Sequence, residues 1–359
     1  MNSLAPAVHP EPVEGPDHPE LVEGQAQSHP STSSGRTGFL CRRLGAAWAL
    51  AACCTAASAQ GTAYVSSEKD DALTMIDLAT LTVKGTVPTC KRGRHIQVTP
   101  DRKIMVACTD ANAADVIDPA TGKSLRRVPL GDEPEAFDLS PDGKTIYVSN
   151  EDAAEASFID AASGKTLQSI KVGQEPEGVK VSADGKTLYI TSEVASLIHV
   201  IDVATAKITS NVKVGKRPRR MALTPDGKEL WVTNELGASI SIIATATHAV
   251  TDTIKLEVKG ARATDITPVG IQMSRDGKRA FVALGKANHV AFIDVASRKT
   301  TNLVLVGKRA WNVALDKAEA RLFVVNGLSD DVTVVDVAGA KAIKSIPVGR
   351  VPYGVAILE

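Results

Sequence analysis

Leu188-Tyr189-Ile190-Thr191-Ser192 and Leu230-Trp231-Val232-Thr233-Asn234 are one short strand written twice, and the chain repeats it in seven copies. The copies begin at Thr62, Ile104, Thr145, Thr187, Glu229, Arg279 and Arg321, a period of about 42 residues. A second strand follows each time and ends in Asp, as in Ala156-Ser157-Phe158-Ile159-Asp160. A third ends in Val-Gly, as in Ile346-Pro347-Val348-Gly349. The fourth runs into Pro-Asp-Gly-Lys, at Pro141 to Lys144 and Pro225 to Lys228. Four short strands per period of this length predict one blade of a β-propeller.

Turn chemistry agrees with that reading. Asp142-Gly143, Asp184-Gly185, Asp226-Gly227 and Asp276-Gly277 each separate two apolar strands, where Asp-Gly closes a tight hairpin. The acids ending the second strands (Asp77, Asp118, Asp160, Asp202, Asp294 and Asp336) can cap the following turn through their own backbone, and Ala244 deprives the fifth repeat of that cap. The phase is informative too. The repetitive region opens on the second strand of a blade and ends on a first strand, Tyr353 to Leu358. That last strand should pair with the three strands of residues 62–88, closing a ring without exposed edges. The expected fold is all-β: a seven-bladed propeller of four-stranded antiparallel blades over residues 60–359.

Of the 359 residues, 43% are hydrophobic and only 4% aromatic, and the formal net charge is zero. A balanced charge leaves no footprint for nucleic acid or an anionic membrane. Residues 1–59 are read as a disordered leader and an export signal. A short duplication (His9 to Gly15, His18 to Gly24) and a Ser/Gly-rich stretch lack apolar periodicity. Arg42-Arg43, the apolar run Leu44 to Ala57, and Ala57-Ser58-Ala59 then form a signal with cleavage after Ala59. The run is too short for a membrane span. Leu50-Ala51-Ala52-Cys53 offers a competing lipobox, which would anchor the protein through Cys53. Either way the body is exported, to the periplasm or beyond.

The Tyr-Val-Thr-Asn type of strand followed by Pro-Asp-Gly-Lys resembles the YVTN propeller repeat over residues 62–359. The opening Ala63 to Asp70, with Cys90-Lys91-Arg92 and the seven repeats, is similar to periplasmic propellers associated with pyrroloquinoline quinone (PQQ)-dependent alcohol catabolism. That resemblance implies a place in this pathway without supplying a chemical role, and the reading adopted is a non-catalytic accessory or binding protein with no cofactor of its own. Its partners would be a quinoprotein alcohol dehydrogenase, a c-type cytochrome or an ABC transporter component, and the protein itself a monomer. Two alternatives stay open: a propeller enzyme of the lactonase type, and an envelope scaffold or adhesion propeller like those of surface layers.

Loops that vary on a constant scaffold are where a binding site belongs. Aligning the copies on the residue after the usual Pro gives a column of Arg94, Glu135, Glu177, Arg219, Val269, Trp311 and Tyr353. Two places earlier stand Arg92, Glu133, Glu175, Arg217, Thr267, Arg309 and Val351, and a third column gives Glu68, Glu151, Glu193 and Glu235. Arg94, Arg219, Arg220 and Arg309 could clamp a carboxylate or phosphate. Trp311 and Tyr353 could stack on a planar group. The competing reading is that acids and arginines of adjacent blades neutralise one another. His95, next to Arg94, is the one histidine in a loop of interest, and no metal-ligand spacing links it to His199, His248 or His289. No catalytic set and no metal site are expected from the sequence. Cys90 takes the Gly position after one strand and Cys108 the Asn position of the next, so the two can form a disulfide in an oxidising compartment.

Overall fold

A computed structural model describes residues 60–359; the leader, the cleavage point after Ala59 and Cys53 lie outside them. Among the described residues, seven four-stranded antiparallel sheets follow one another. The predicted repeat starts coincide with observed strands: Thr62–Ser67, Ile104–Cys108, Thr145–Asn150, Thr187–Ser192, Glu229–Asn234, Arg279–Ala283 and Arg321–Asn326. The ring closes as expected. Pro352–Leu358 becomes the innermost strand of the sheet otherwise made from Thr62–Ser67, Ala72–Asp77 and Thr82–Pro88. Its register pairs Thr62 with Leu358 and Tyr64 with Ala356.

Apolar side chains of the second strand in each sheet are buried between neighbouring blades. Phe281 and Phe292 meet edge-to-face at 4.9 Å and pack with Val313, Leu322 and Val324 of the next blade. The outermost strands, such as Lys123–Pro129, are largely exposed, as befits edges that carry charge rather than apolar surface. Asp77 accepts the backbone N–H groups of Ala79 and Thr80 at 2.9 Å each, and Asp294 accepts that of Ser297 at 2.8 Å. The fifth repeat, with Ala244 at this position, lacks the side-chain cap and keeps only the backbone closure that the others share, the His248 N–H on the Ala244 carbonyl at 2.8 Å matching Leu81 on Asp77 at 2.8 Å. No helix among the described residues is long and apolar enough to cross a membrane.

One packing rule explains both the Val-Gly ends and the disulfide. A Cβ on Gly131 would come within 2.9 Å of the Asn150 side chain, and one on Gly215 within 2.5 Å of Asn234. The Gly after one blade's outer strand therefore lets the Asn of the following blade press against it. Cys90 stands at that Gly position and Cys108 at that Asn position, and here a disulfide with a Cα–Cα distance of 5.6 Å replaces the close approach.

Inner strands carry a second regularity. Register shifts fall at Gly93/Ile96, Pro134/Ala136, Pro176/Val179, Pro218/Met221 and Ala310/Asn312. A bulge suspends strict side-chain alternation and re-aims the residues within it. Here it brings two successive residues, such as Arg94 and His95, to the channel end of the strand.

Two measurements test this fold. Deleting residues 350–359 removes the closing strand, and we expect loss of cooperative melting; a truncated protein that melts like the parent contradicts the closure. Reducing the Cys90–Cys108 bond should lower stability by about 3 kcal/mol in a denaturant titration.

Candidate functional site

Four hydroxyls fix where the central residues stand. Ser66 accepts the Gly354 N–H at 3.0 Å and donates to the Arg94 carbonyl of the next blade at 2.6 Å. Ser149 accepts from Ala136 at 3.2 Å and donates to the Glu177 carbonyl at 2.9 Å. Thr191 and Thr233 repeat the arrangement, donating to the carbonyls of Arg219 at 3.2 Å and Val269 at 2.7 Å. This is the physical role of the hydroxyl residue in the repeat: it ties two inner strands together at the position of the central column.

The column does converge. Arg94, Glu135, Glu177, Arg219, Val269, Trp311 and Tyr353 are each at most 8% exposed, and they bridge across the ring. The Tyr353 hydroxyl donates to Glu177 at 3.1 Å and accepts from Arg220 Nη2 at 2.5 Å. Arg220 also lies 3.0 Å from the Glu177 carboxylate. Arg94 pairs with Glu135, and Arg219 with Glu193 and, at 3.5 Å, with Glu177. Above this plug sits a looser ring in which Arg217 binds Glu193 at 2.6 Å and Glu235 at 3.1 Å, and Arg92 binds Glu68 at 3.4 Å and Glu133 at 3.5 Å. Carboxyl oxygens of Glu133, Glu135 and Glu151 lie within 4.8 Å of one another, a cluster with the makings of a cation site. Arg92 and Arg94 already place positive charge on two of the three.

Burial sets unusual protonation states here. Desolvation, with Glu177 as a negative neighbour, pushes the Glu135 carboxyl up to about 10 against the pull of Arg94. Burial also acts on Glu177, but Arg219, Arg220 and Arg94 outweigh it and hold that carboxyl well below the usual range. Glu193 is pushed up to about 7 by burial, with Arg219 opposing. Burial pushes the Tyr353 phenol up.

Beneath the plug the chemistry changes. Among the residues that follow the column, Ala136, Gly178, Gly270 and Gly354 offer at most a methyl group, leaving His95, Arg220 and Asn312 as the functional side chains. His95 meets Phe137 edge-on at 4.9 Å, and its Nε2 lies 3.1 Å from Gln97 Nε2. Its Nδ1 is enclosed and has no hydrogen-bond partner. Desolvation, reinforced by the Arg220 charge, lowers its pKa to about 3, so the ring is neutral at ordinary pH. Arg220 spends its terminal nitrogens on Tyr353, Glu177 and the Glu177 carbonyl, while its Nε–H is buried and unused.

All the sequence candidates (Arg94, His95, Glu151, Glu193, Arg219, Arg220, Glu235, Arg309, Trp311 and Tyr353) stand around one opening, but two expectations need correction. Arg94, Arg219 and Arg220 are not free to clamp an anion, because Glu135 and Glu68 already hold Arg94, and Glu193 and Glu177 hold Arg219 and Arg220. Trp311 and Tyr353 are not open platforms. Arg309 and Arg219 sit 4.2 and 5.0 Å from the indole centre, and Arg94 lies 4.5 Å from the phenol centre. The side chains of the column plug the channel. Gln97, Asp138 and Lys180, three places beyond the column, escaped the sequence reading, although the same alignment could have reached them. Lys180 Nζ binds Asp138 at 2.9 Å.

Two predictions follow from the plug. Arg219→Ala leaves Glu193 and Glu177 buried beside a missing cation and should cost about 3–5 kcal/mol in urea unfolding. Glu135 has its folded pKa above the unfolded value, so its contribution is complete in acid and is lost as pH rises from about 4.5 towards about 10. Melting temperature should therefore fall from pH 5 to pH 9, and Glu135→Gln should flatten that slope.

Known proteins locate the chain further. The sequence profile of the family described as "Lactonase, 7-bladed beta-propeller" matches residues 157–248 and 202–343, together more than half of the chain. No curated protein matches it. Among solved structures, the periplasmic gluconolactonase PpgL of Pseudomonas aeruginosa superposes with a TM-score of 0.72 at 20% identity, over 83% of this chain and 99% of that one. A functionally unknown protein from Desulfotomaculum acetoxidans gives 0.72 at 17% identity, over 84% and 99%. Hydrazine synthase of Kuenenia stuttgartiensis gives 0.69 at 23% identity, over 77% and 92%. At such identities the superpositions speak for the fold. The family match overturns the reading of a non-catalytic accessory of quinone-dependent alcohol oxidation and favours the alternative that the sequence had left open: the chain belongs to the lactonase family of seven-bladed β-propellers.

Proposed function

We propose that this protein hydrolyses a small lactone on the underside of the central plug, with His95 as base and Arg220 as the donor that receives the developing oxyanion. One observation carries the reading: the His95 imidazole keeps an enclosed nitrogen without a partner, the Arg220 Nε–H is buried without an acceptor, and the Arg220 charge acts on that imidazole. Unused groups of both kinds at one place suit a reaction that needs an acceptor for a proton and a donor for an oxygen. Family membership and the gluconolactonase name of a structural neighbour support the reaction class.

In the reaction, water adds to the lactone carbonyl while His95 takes its proton, and the carbonyl electrons move to an oxygen facing Arg220 Nε–H. Collapse of the tetrahedral adduct breaks the ring C–O bond, and the imidazolium returns its proton to the departing alkoxide. Lactone and water become one hydroxy acid. A base of lowered pKa is a weak acceptor at the outset. The oxyanion forming beside it raises its proton affinity as the proton arrives. The sequence as drawn requires no cofactor. A periplasmic place of action completes the proposal, supported by the Arg42-Arg43 leader pattern, the disulfide and the periplasmic neighbour; osmotic-shock fractionation tests it.

The enzymatic test uses D-glucono-1,5-lactone, with acid release followed in a pH-stat. His95→Gln should lower kcat by about 10²–10⁴-fold, and Arg220→Lys, which lacks the Nε–H, should lower kcat with little change in KM. The acid limb of the rate should lie near the lowered His95 pKa of about 3 instead of near 6.5. Wild-type protein no faster than spontaneous ring opening, or His95→Gln with full activity, overturns the proposal.

A further inference from the structure

The structure assigns the approach to His95 and Arg220 to the face of the Pro-Asp-Gly-Lys turns: we infer that substrate enters the channel from that side, past Gln97, Lys180 and Gln272, and not through the loop mouth. The inference rests on the reading of His95 and Arg220 as the reacting pair, and it reverses the expectation that the mouth itself is the binding site.

Three observations carry it. First, the plug spans the channel. Tyr353 reaches across the ring to Glu177 and Arg220, while Trp311 and Tyr353, their ring centres 6.0 Å apart, pack with Val269. A substrate arriving from the mouth would have to part buried ion pairs between blades, and breaking such pairs is costly. Second, the lower channel keeps polar surface open. His95, Gln97, Lys180, Gln272 and Asn312 are all only partly buried, although they belong to or adjoin inner strands. Lys180 and Asp138 also act electrostatically on His95, which ties that nitrogen-bearing ring to the lower layer. Third, a groove of about 350 Å³ on the turn face is lined by Lys180, Ala222, Gln272 and Met273, so inner-strand residues of the lower channel also border a surface opening. Its size falls within the range of small-molecule sites.

Chemical access to His95 tests this without relying on turnover. Diethyl pyrocarbonate modifies neutral imidazole, and the modified peptide is read by mass spectrometry. Lys180→Trp and Gln97→Trp narrow the lower channel, and Val351→Trp narrows the mouth; circular dichroism melts check that each folds. We expect carbethoxylation of His95 to be about tenfold slower in the two lower-channel variants and unchanged in Val351→Trp. The reverse pattern, or equal rates in all three, overturns the inference. Hydrolysis of D-glucono-1,5-lactone is then measured on the same proteins. If the modification pattern holds but wild-type protein hydrolyses nothing, the route stands and the catalytic reading fails. If lactone is hydrolysed and only Val351→Trp raises KM, the catalytic reading stands and the route fails.

Discussion

The hydroxyl that bridges two blades is the constraint on which the rest of this molecule depends. Ser66, Ser149, Thr191 and Thr233 each hold an N–H of their own blade's inner strand and the carbonyl of the neighbouring inner strand. Such a bond is modest in net stability. Its importance is geometric: the carbonyls it grips belong to Arg94, Glu177, Arg219 and Val269, four of the seven residues that meet at the centre. Gly178 and Gly354 complete the arrangement, since a Cβ there would come within 2.1 Å of the Arg219 carbonyl or 3.0 Å of the Arg94 carbonyl. The inner strands come as close as they do because these positions are glycine.

That closeness creates an electrostatic problem and its solution. Charged groups at the narrow end of a ring are desolvated, which is costly unless each finds an opposite charge and hydrogen bonds. Arg94 lies against Glu135, Arg219 against Glu193 and Glu177, and Arg220 against Glu177, and the faces of Trp311 and Tyr353 cover guanidinium groups. The same ion pairs that keep the plug stable also use up the arginines as ligand binders. Partnerless polar atoms remain both in the plug, at Arg94 Nε, Arg219 Nε and Trp311 Nε1, and one layer lower, at His95 Nδ1 and Arg220 Nε.

Resemblance within repeat proteins follows the scaffold more faithfully than the chemistry. The Tyr-Val-Thr-Asn strand and the Pro-Asp-Gly-Lys turn describe how a blade folds and joins its neighbour, so they recur wherever the blade does. Fold carries function poorly for this reason. The opening Ala63 to Asp70 belongs to the closing blade, and Cys90 is explained by the Gly position it replaces. Both features are thereby structural, and neither bears on alcohol oxidation.

The architecture was legible from residues alone because each period carries its own turn, cap and strand signals, and seven copies of weak signals agree. The closing strand Tyr353 to Leu358 and the proximity of Cys90 and Cys108 follow from phase and alignment. The central column was legible as a set of neighbours, since a ring converts one aligned position into one shared place. What the sequence could not decide is how those neighbours spend their charges. Whether Arg219 faces a ligand or Glu193, and whether Trp311 offers a free face or lies against Arg309, depends on contacts across the channel between residues far apart in the chain. Only closure of the ring sets those distances, and burial at its centre then determines which groups are consumed in pairs and which, like His95 and Arg220 Nε, remain available.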